Sequence, residues 1–143
     1  MAVDAAADEV KAEEFDAIIV PVGRAASKMR LHQPMVNLVR QADRLGKVVA
    51  AVCHGPQVLI TAGVVKGRRV TSWPSVAEEL RNAGATWVDE PVVQDGNRIT
   101  SRKPADLPQF NQAVIQALLI ERPSGKDSKG ERHGPKELRH AGV

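Results

Sequence analysis

Val49-Ala50-Ala51-Val52-Cys53-His54-Gly55-Pro56 reads as a buried strand that stops abruptly in a reactive turn. The run before Cys53 is short and apolar. Cys53 is the only cysteine of the chain, and a histidine adjoins it. Gly-Pro follows, and then Val58, Leu59 and Ala62 recur at helical spacing. Strand, sharp turn and helix form the layout of a nucleophile elbow. A tight turn lifts the sulfur out of the sheet. Gly55 lets backbone approach where a side chain would clash. The start of the helix supplies unpaired N–H groups and a positive dipole end, which favour thiolate over thiol. Free cysteines elsewhere are usually buried and act as small hydrophobes. A histidine at a turn is, by itself, usually a hydrogen-bonding surface group. Their adjacency ahead of Gly-Pro is what favours a nucleophile at Cys53 assisted by His54.

The flanking sequence alternates strands with helices. Phe15 to Val20 is a first buried strand, stopped by Pro21-Val22-Gly23. Pro34 opens a helix with apolar positions Met35, Leu38, Val39, Ala42 and Leu45, and Gly46 ends it. Val48 to Val52 is the second strand, and Pro56 to Ala62 is the elbow helix with Gly63 as its cap. A short strand covers Arg69-Val70-Thr71, and a helix runs from about Val76 to Asn82, closed by Gly84. Thr86-Trp87-Val88 is another short strand. Asp95-Gly96-Asn97 lies between two strand-like runs and signals a hairpin. Asp106 caps a last helix carrying Leu107, Phe110, Val114 and Leu118. The order predicts a layered α/β fold with a mostly parallel sheet.

Composition narrows the class. The chain has 143 residues, of which 43% are hydrophobic, enough for one domain with its own core. Aromatic residues are scarce, so Val, Ile, Leu and Ala must build that core, as in a sheet covered on both faces. One cysteine excludes an internal disulfide and a multi-cysteine metal site, and it fits a reducing, cytoplasmic setting. No signal peptide or membrane-length apolar run is visible. Of 20 basic and 17 acidic residues, six and three fall in 122–143, which leaves fourteen of each in 1–121. The net charge of +3 therefore belongs to the tail. Residues 122–143 are polar and rich in Gly and Pro, and are expected to be disordered. No aromatic is interleaved there to stack on bases, which argues against a nucleic-acid partner. Residues 1–14 form a lead-in segment, and 15–121 are the folded domain.

Three blocks then carry a resemblance. They are Ala51-Val52-Cys53-His54-Gly55-Pro56; Thr71-Ser72-Trp73-Pro74 with Asn82 to Asp89; and Asp95-Gly96-Asn97 with Ser101 to Pro108. Together they resemble the PfpI-type intracellular protease/amidase family, within the class I glutamine amidotransferase-like superfamily that includes the Parkinson-linked deglycase. The match runs from about Phe15 to Leu119. The resemblance implies a flavodoxin-like three-layer sandwich. It implies a Cys53 nucleophile with His54 assisting proton transfer, and an oxyanion site from the His54 and Gly23 backbone, with Gly55 beside it. No cofactor or metal is implied. Relatives have been described as peptidases, as glyoxalases and as deglycases that share thiolate attack on a carbonyl. A small carbonyl or peptide substrate follows, with roles in stress response.

Three departures from the family pattern stand out. The first strand-helix-strand, with a glutamate that sits beside the cysteine in relatives, has no counterpart in this sequence. Val22 stands where relatives have the first glycine of a Pro-Gly-Gly loop, and Ser27 stands where some bring an acidic residue to the histidine. An N-terminally shortened chain with an impaired hydrolase or glyoxalase-type site is therefore expected. The opposing expectation is a non-catalytic member: a thiol or stress sensor, or a subunit of an oligomer. Open strand edges predict a homo-oligomer and no membrane partner. Ser72 and Ser101 are expected to make local turn bonds, Arg102 and Asp106 to pair or cap, and His32 to lie in a polar loop.

Overall fold

Alternation of buried side chains along two adjacent strands decides how the layers stack. Strand β1 (Ala17–Val20) and strand β2 (Val48–Val52) are parallel, with Ala17 opposite Val48 and Val20 opposite Ala51. Ile18, Val20, Val49 and Ala51 face one way. Ala17, Val48, Ala50 and Val52 face the other. Both faces are apolar because both are covered, as a parallel sheet requires. The computed structural model describes residues 5–21 and 26–120. Gly23 and the tail 122–143, both singled out above, lie outside the described residues.

Helix α1 (Ala26–Met29) and helix α2 (Gln33–Arg44) follow β1. Helix α3 (Pro56–Ala62) follows β2 and ends at Gly63, whose φ of +76° suits a glycine cap. Strand β3 (Arg69–Val70) leads through a 3₁₀ turn, Pro74–Val76, into helix α4 (Ala77–Asn82). Strand β4 (Thr86–Trp87) precedes the hairpin of β5 (Val92–Asp95) and β6 (Arg98–Ser101). Gly96 takes φ +63° at the first of the two loop residues, where a type II′ turn requires glycine. Helix α5 (Leu107–Ile120) ends the described chain.

The main sheet runs β1-β2-β6-β5, parallel except for the hairpin pair. One face packs on Val36, Leu38, Val39 and Ala42 of α2 and on Val58, Leu59 and Ala62 of α3. The other packs on Phe110, Val114, Ala117 and Leu118 of α5. The result is the expected α/β sandwich with a mostly parallel sheet. Two 3₁₀ turns, Ala7–Glu9 and Ala12–Glu14, form the described part of the lead-in, and Ala12 is buried in the first core.

Some local expectations need correction. Periodicity put Leu45 on the apolar face of α2, but it is 48% exposed because the helix stops at Arg44. Strands β3 and β4 form a separate two-stranded parallel pair, and both are shorter than expected because Thr71 and Val88 lie outside them. Thr71 ties that pair back: its N–H donates to Thr100 Oγ1 at 2.9 Å in the buried interior. Arg98 reads as an ordinary hairpin residue, yet it is buried. It reaches Asp43 of α2 at 2.6 Å and donates to the Val64 carbonyl at 2.5 Å. Burial pushes the Arg98 guanidinium below its ordinary pKa, and the Asp43 charge opposes that shift.

Candidate active site

Parallel strands end on one side of a sheet, and the residues just after them share that rim. Cys53 follows β2, and Arg102 follows β6. The Cys53 N–H donates to the Ser101 carbonyl at 3.1 Å, extending the β2–β6 ladder by one bond. The chain then turns sharply. Cys53 takes φ +64°, the one positive φ on a non-glycine among the described residues. A side chain in that region costs about 1 kcal/mol or more. The neighbours hold it there. The Gly55 N–H donates to the Val52 carbonyl at 2.9 Å, and the Trp73 N–H donates to the Cys53 carbonyl at 2.9 Å.

Gly55 is required by contact rather than by φ. A Cβ there would sit 2.9 Å from the Val20 carbonyl oxygen and 3.1 Å from that of Val52. Both are strand backbone and cannot move aside. Its own N–H is committed to Val52, so what Gly55 contributes is close approach of α3 to β1 and β2.

The strain at Cys53 can be measured. Cys53→Gly and Cys53→Ala both remove the sulfur, so their difference reports the backbone. The glycine variant is expected to be more stable by about 1 kcal/mol in urea denaturation. Equal stability would mean that the turn carries no strain.

The turn brings the two predicted groups together. Cys53 Sγ lies 3.3 Å from His54 Nδ1, within hydrogen-bond reach for sulfur. Cys53 is buried, at 9% exposure, while His54 is half-buried at the rim. The indole of Trp73 stacks on the imidazole, with ring centres 6.2 Å apart and planes 24° apart. Sequence reading passed over Trp73. The only signal for it was its place in the Ser72-Trp73-Pro74 turn, and nothing in that turn reveals a contact twenty residues away.

Polar pairs surround the elbow. Gln57 of α3 donates to Glu79 at 3.3 Å, and Glu79 also takes the guanidinium of Arg30. The Arg30 hydrogen bond holds the Glu79 carboxyl below its ordinary range, against the opposing effect of burial. Arg30 Nε donates to Thr61 Oγ1 at 3.0 Å, so α3 is fastened at both ends of its exposed face. On the other side, Arg102 donates to both carboxylate oxygens of Asp106, at 3.0 and 3.3 Å, and to Asp89 at 2.9 Å. Those hydrogen bonds raise its pKa. Arg102 and Asp106 thus form a pair, one of the two expected roles.

The remaining candidates fall away from the sulfur chemistry. Ser72 Oγ donates to the Trp73 carbonyl at 2.8 Å and accepts the Trp87 indole N–H at 3.0 Å. Ser101 Oγ donates to the Pro91 carbonyl at 2.6 Å, a bond across the hairpin and not the local turn bond expected. His32 is exposed at the start of α2. Ser27 lies in α1, which packs on α3. Among the described residues, no group of three or more His, Cys, Asp or Glu is placed to hold a metal ion. No helix among them is long and apolar enough to cross a membrane.

Comparison with known proteins places the chain in a family. Residues 1–117 match the DJ-1/PfpI family. Deglycase PH1704 of Pyrococcus horikoshii is 47% identical over 116 residues, covering 81% of this chain and 70% of its own. Protein/nucleic acid deglycase 2 of Escherichia coli is 40% identical over 117 residues, covering 81% and 68%. A two-domain Anabaena variabilis protein with DJ-1/ThiJ/PfpI-like and ferritin-like domains superposes with a TM-score of 0.77 at 46% identity. That match spans 78% of this chain and 33% of the larger protein. The α/β sandwich is thus shared with solved relatives, and the chain belongs to the DJ-1/PfpI family.

Proposed function

We propose that this chain is a thiol-dependent enzyme of deglycase or glyoxalase type, with Cys53 as nucleophile and His54 as its proton partner. The observation that carries this is the 3.3 Å approach of Sγ to His54 Nδ1 on a residue held at φ +64°. His54 takes the thiol proton, and the thiolate adds to the carbon of an aldehyde or ketone. The carbonyl π electrons move to oxygen. That oxyanion is stabilised by backbone N–H groups of His54 and Gly23, and it recovers the proton from the imidazolium. Amide hydrolysis, the protease/amidase reading, begins with the same attack. The deglycase names of the relatives favour a small carbonyl compound or a glycated adduct as substrate.

Val22 and Ser27 stand where the family pattern has a glycine and an acidic residue, so turnover is expected to fall below that of relatives carrying both. The same reading makes the protein a cytoplasmic homo-oligomer that works without metal or cofactor.

The test is the rate of Cys53 alkylation by iodoacetamide in folded protein at pH 6, followed by mass spectrometry. Thiolate is the reacting form, and an ordinary thiol has a pKa near about 8.5. Cys53 is expected to react at least about tenfold faster than a peptide thiol at that pH. A rate equal to the peptide's would remove the nucleophile.

A further inference from the structure

We propose that Trp73 is a positioning residue of this site, acting on both members of the Cys53–His54 pair; the proposal rests on the thiol-dependent reading above. Two independent contacts support it. The backbone N–H of Trp73 holds the Cys53 carbonyl at 2.9 Å, on the residue whose backbone is strained. Its indole stacks on His54 at 6.2 Å and 24°. One residue therefore fixes the turn that presents the sulfur and the plane of the ring beside it.

The stack has a physical job. An imidazole at a half-buried turn can rotate about χ1 and χ2, and either rotation carries Nδ1 away from the sulfur. A flat indole against one face opposes both rotations.

Trp73 is itself held. Ser72 Oγ donates to the Trp73 carbonyl at 2.8 Å and accepts the Trp87 indole N–H at 3.0 Å. The Trp87 ring in turn lies under the Arg81 guanidinium, 5.3 Å from its centre. A bonded chain thus runs from β4, through Ser72 and Trp73, to the nucleophile turn. Core packing does not explain the indole, because Trp73 is 38% exposed.

The experiment is the Cys53 alkylation rate at pH 7 in wild type, Trp73→Leu, Trp73→Phe, His54→Ala and His54→Ala/Trp73→Leu. Trp73→Leu keeps the backbone N–H and apolar bulk but loses the flat ring. It is expected to slow alkylation by up to about tenfold, the scale of an aromatic contact. Trp73→Phe should restore most of the rate. In the His54→Ala background, Trp73→Leu should have no further effect, because the indole acts through that ring.

An unchanged rate in Trp73→Leu would overturn the proposal. So would an equal loss in Trp73→Phe, or a loss that persists without His54. Should Trp73→Leu not fold, proton NMR of the wild type decides. Cross-peaks between the His54 ring and the Trp73 indole are expected, and their absence overturns the stack. A wild-type rate equal to a peptide thiol would instead sink the thiol-dependent reading, whatever Trp73 does.

Discussion

Cys53→Ser is expected to lower lactate formation from methylglyoxal by about a thousandfold or more, to the level of buffer. The reasoning is chemical rather than structural. Serine is nearly isosteric, and the replaced atom is almost buried, so the fold should survive. A hydroxyl, however, is far less acidic than a thiol. An imidazole 3.3 Å away cannot maintain an alkoxide at neutral pH without further support. Removing the nucleophile of a coupled site typically removes most of its rate enhancement. His54→Ala should be milder, because a few per cent of an unassisted thiol is ionised at pH 7. The assay is a side-by-side rate for the three proteins, with circular dichroism as the folding check. Turnover that survives Cys53→Ser would place the chemistry elsewhere in the chain.

That expectation could be drawn from the sequence because its determinants are local. The change from an apolar run to helical spacing at Cys53-His54-Gly55-Pro56 marks the elbow without any knowledge of the fold. Observed β2 and α3 have the bounds that this change predicts. The hairpin at Gly96 was legible for the same reason, since a two-residue turn depends on its own residues. The Sγ–Nδ1 approach follows from adjacency in the chain once the turn is formed.

What stayed hidden depends on distant partners. Trp73 meets His54 only because β3 and its following turn fold back against the end of β2. Thr71 looked like the end of a strand, but its N–H crosses to the Thr100 hydroxyl instead of to strand backbone. Ser101 had a plausible local bond, yet its hydroxyl donates across the hairpin to the Pro91 carbonyl. Side-chain hydrogen bonding is permissive, so a short-range rule sees only the nearest option.

Arg98 is the strongest case, and its partner is the larger of the stability predictions. A charged residue in a short strand after a turn suggests solvent. Instead the side chain is 6% exposed, and Asp43, 17% exposed, is its counter-ion at 2.6 Å. Asn97 joins them, donating to Asp43 at 3.2 Å and to the Lys47 carbonyl at 2.6 Å. The cluster fastens the end of α2 to the start of β6 and to the chain beyond α3. Asp43→Ala strands a buried cation. It is expected to destabilise the protein by about 3–5 kcal/mol, a fall in Tm of more than about 12 °C for a domain of this size. Arg98→Met should cost less, because the carboxylate left behind is nearer to water. The double variant Asp43→Leu/Arg98→Met should recover at least half of the Asp43→Ala loss, since removing both charges removes the desolvation penalty. Thermal melts of the three variants decide it. If Asp43→Ala melts within a few degrees of wild type, the guanidinium has found water or another acceptor, and the cluster is not what joins α2 to the hairpin.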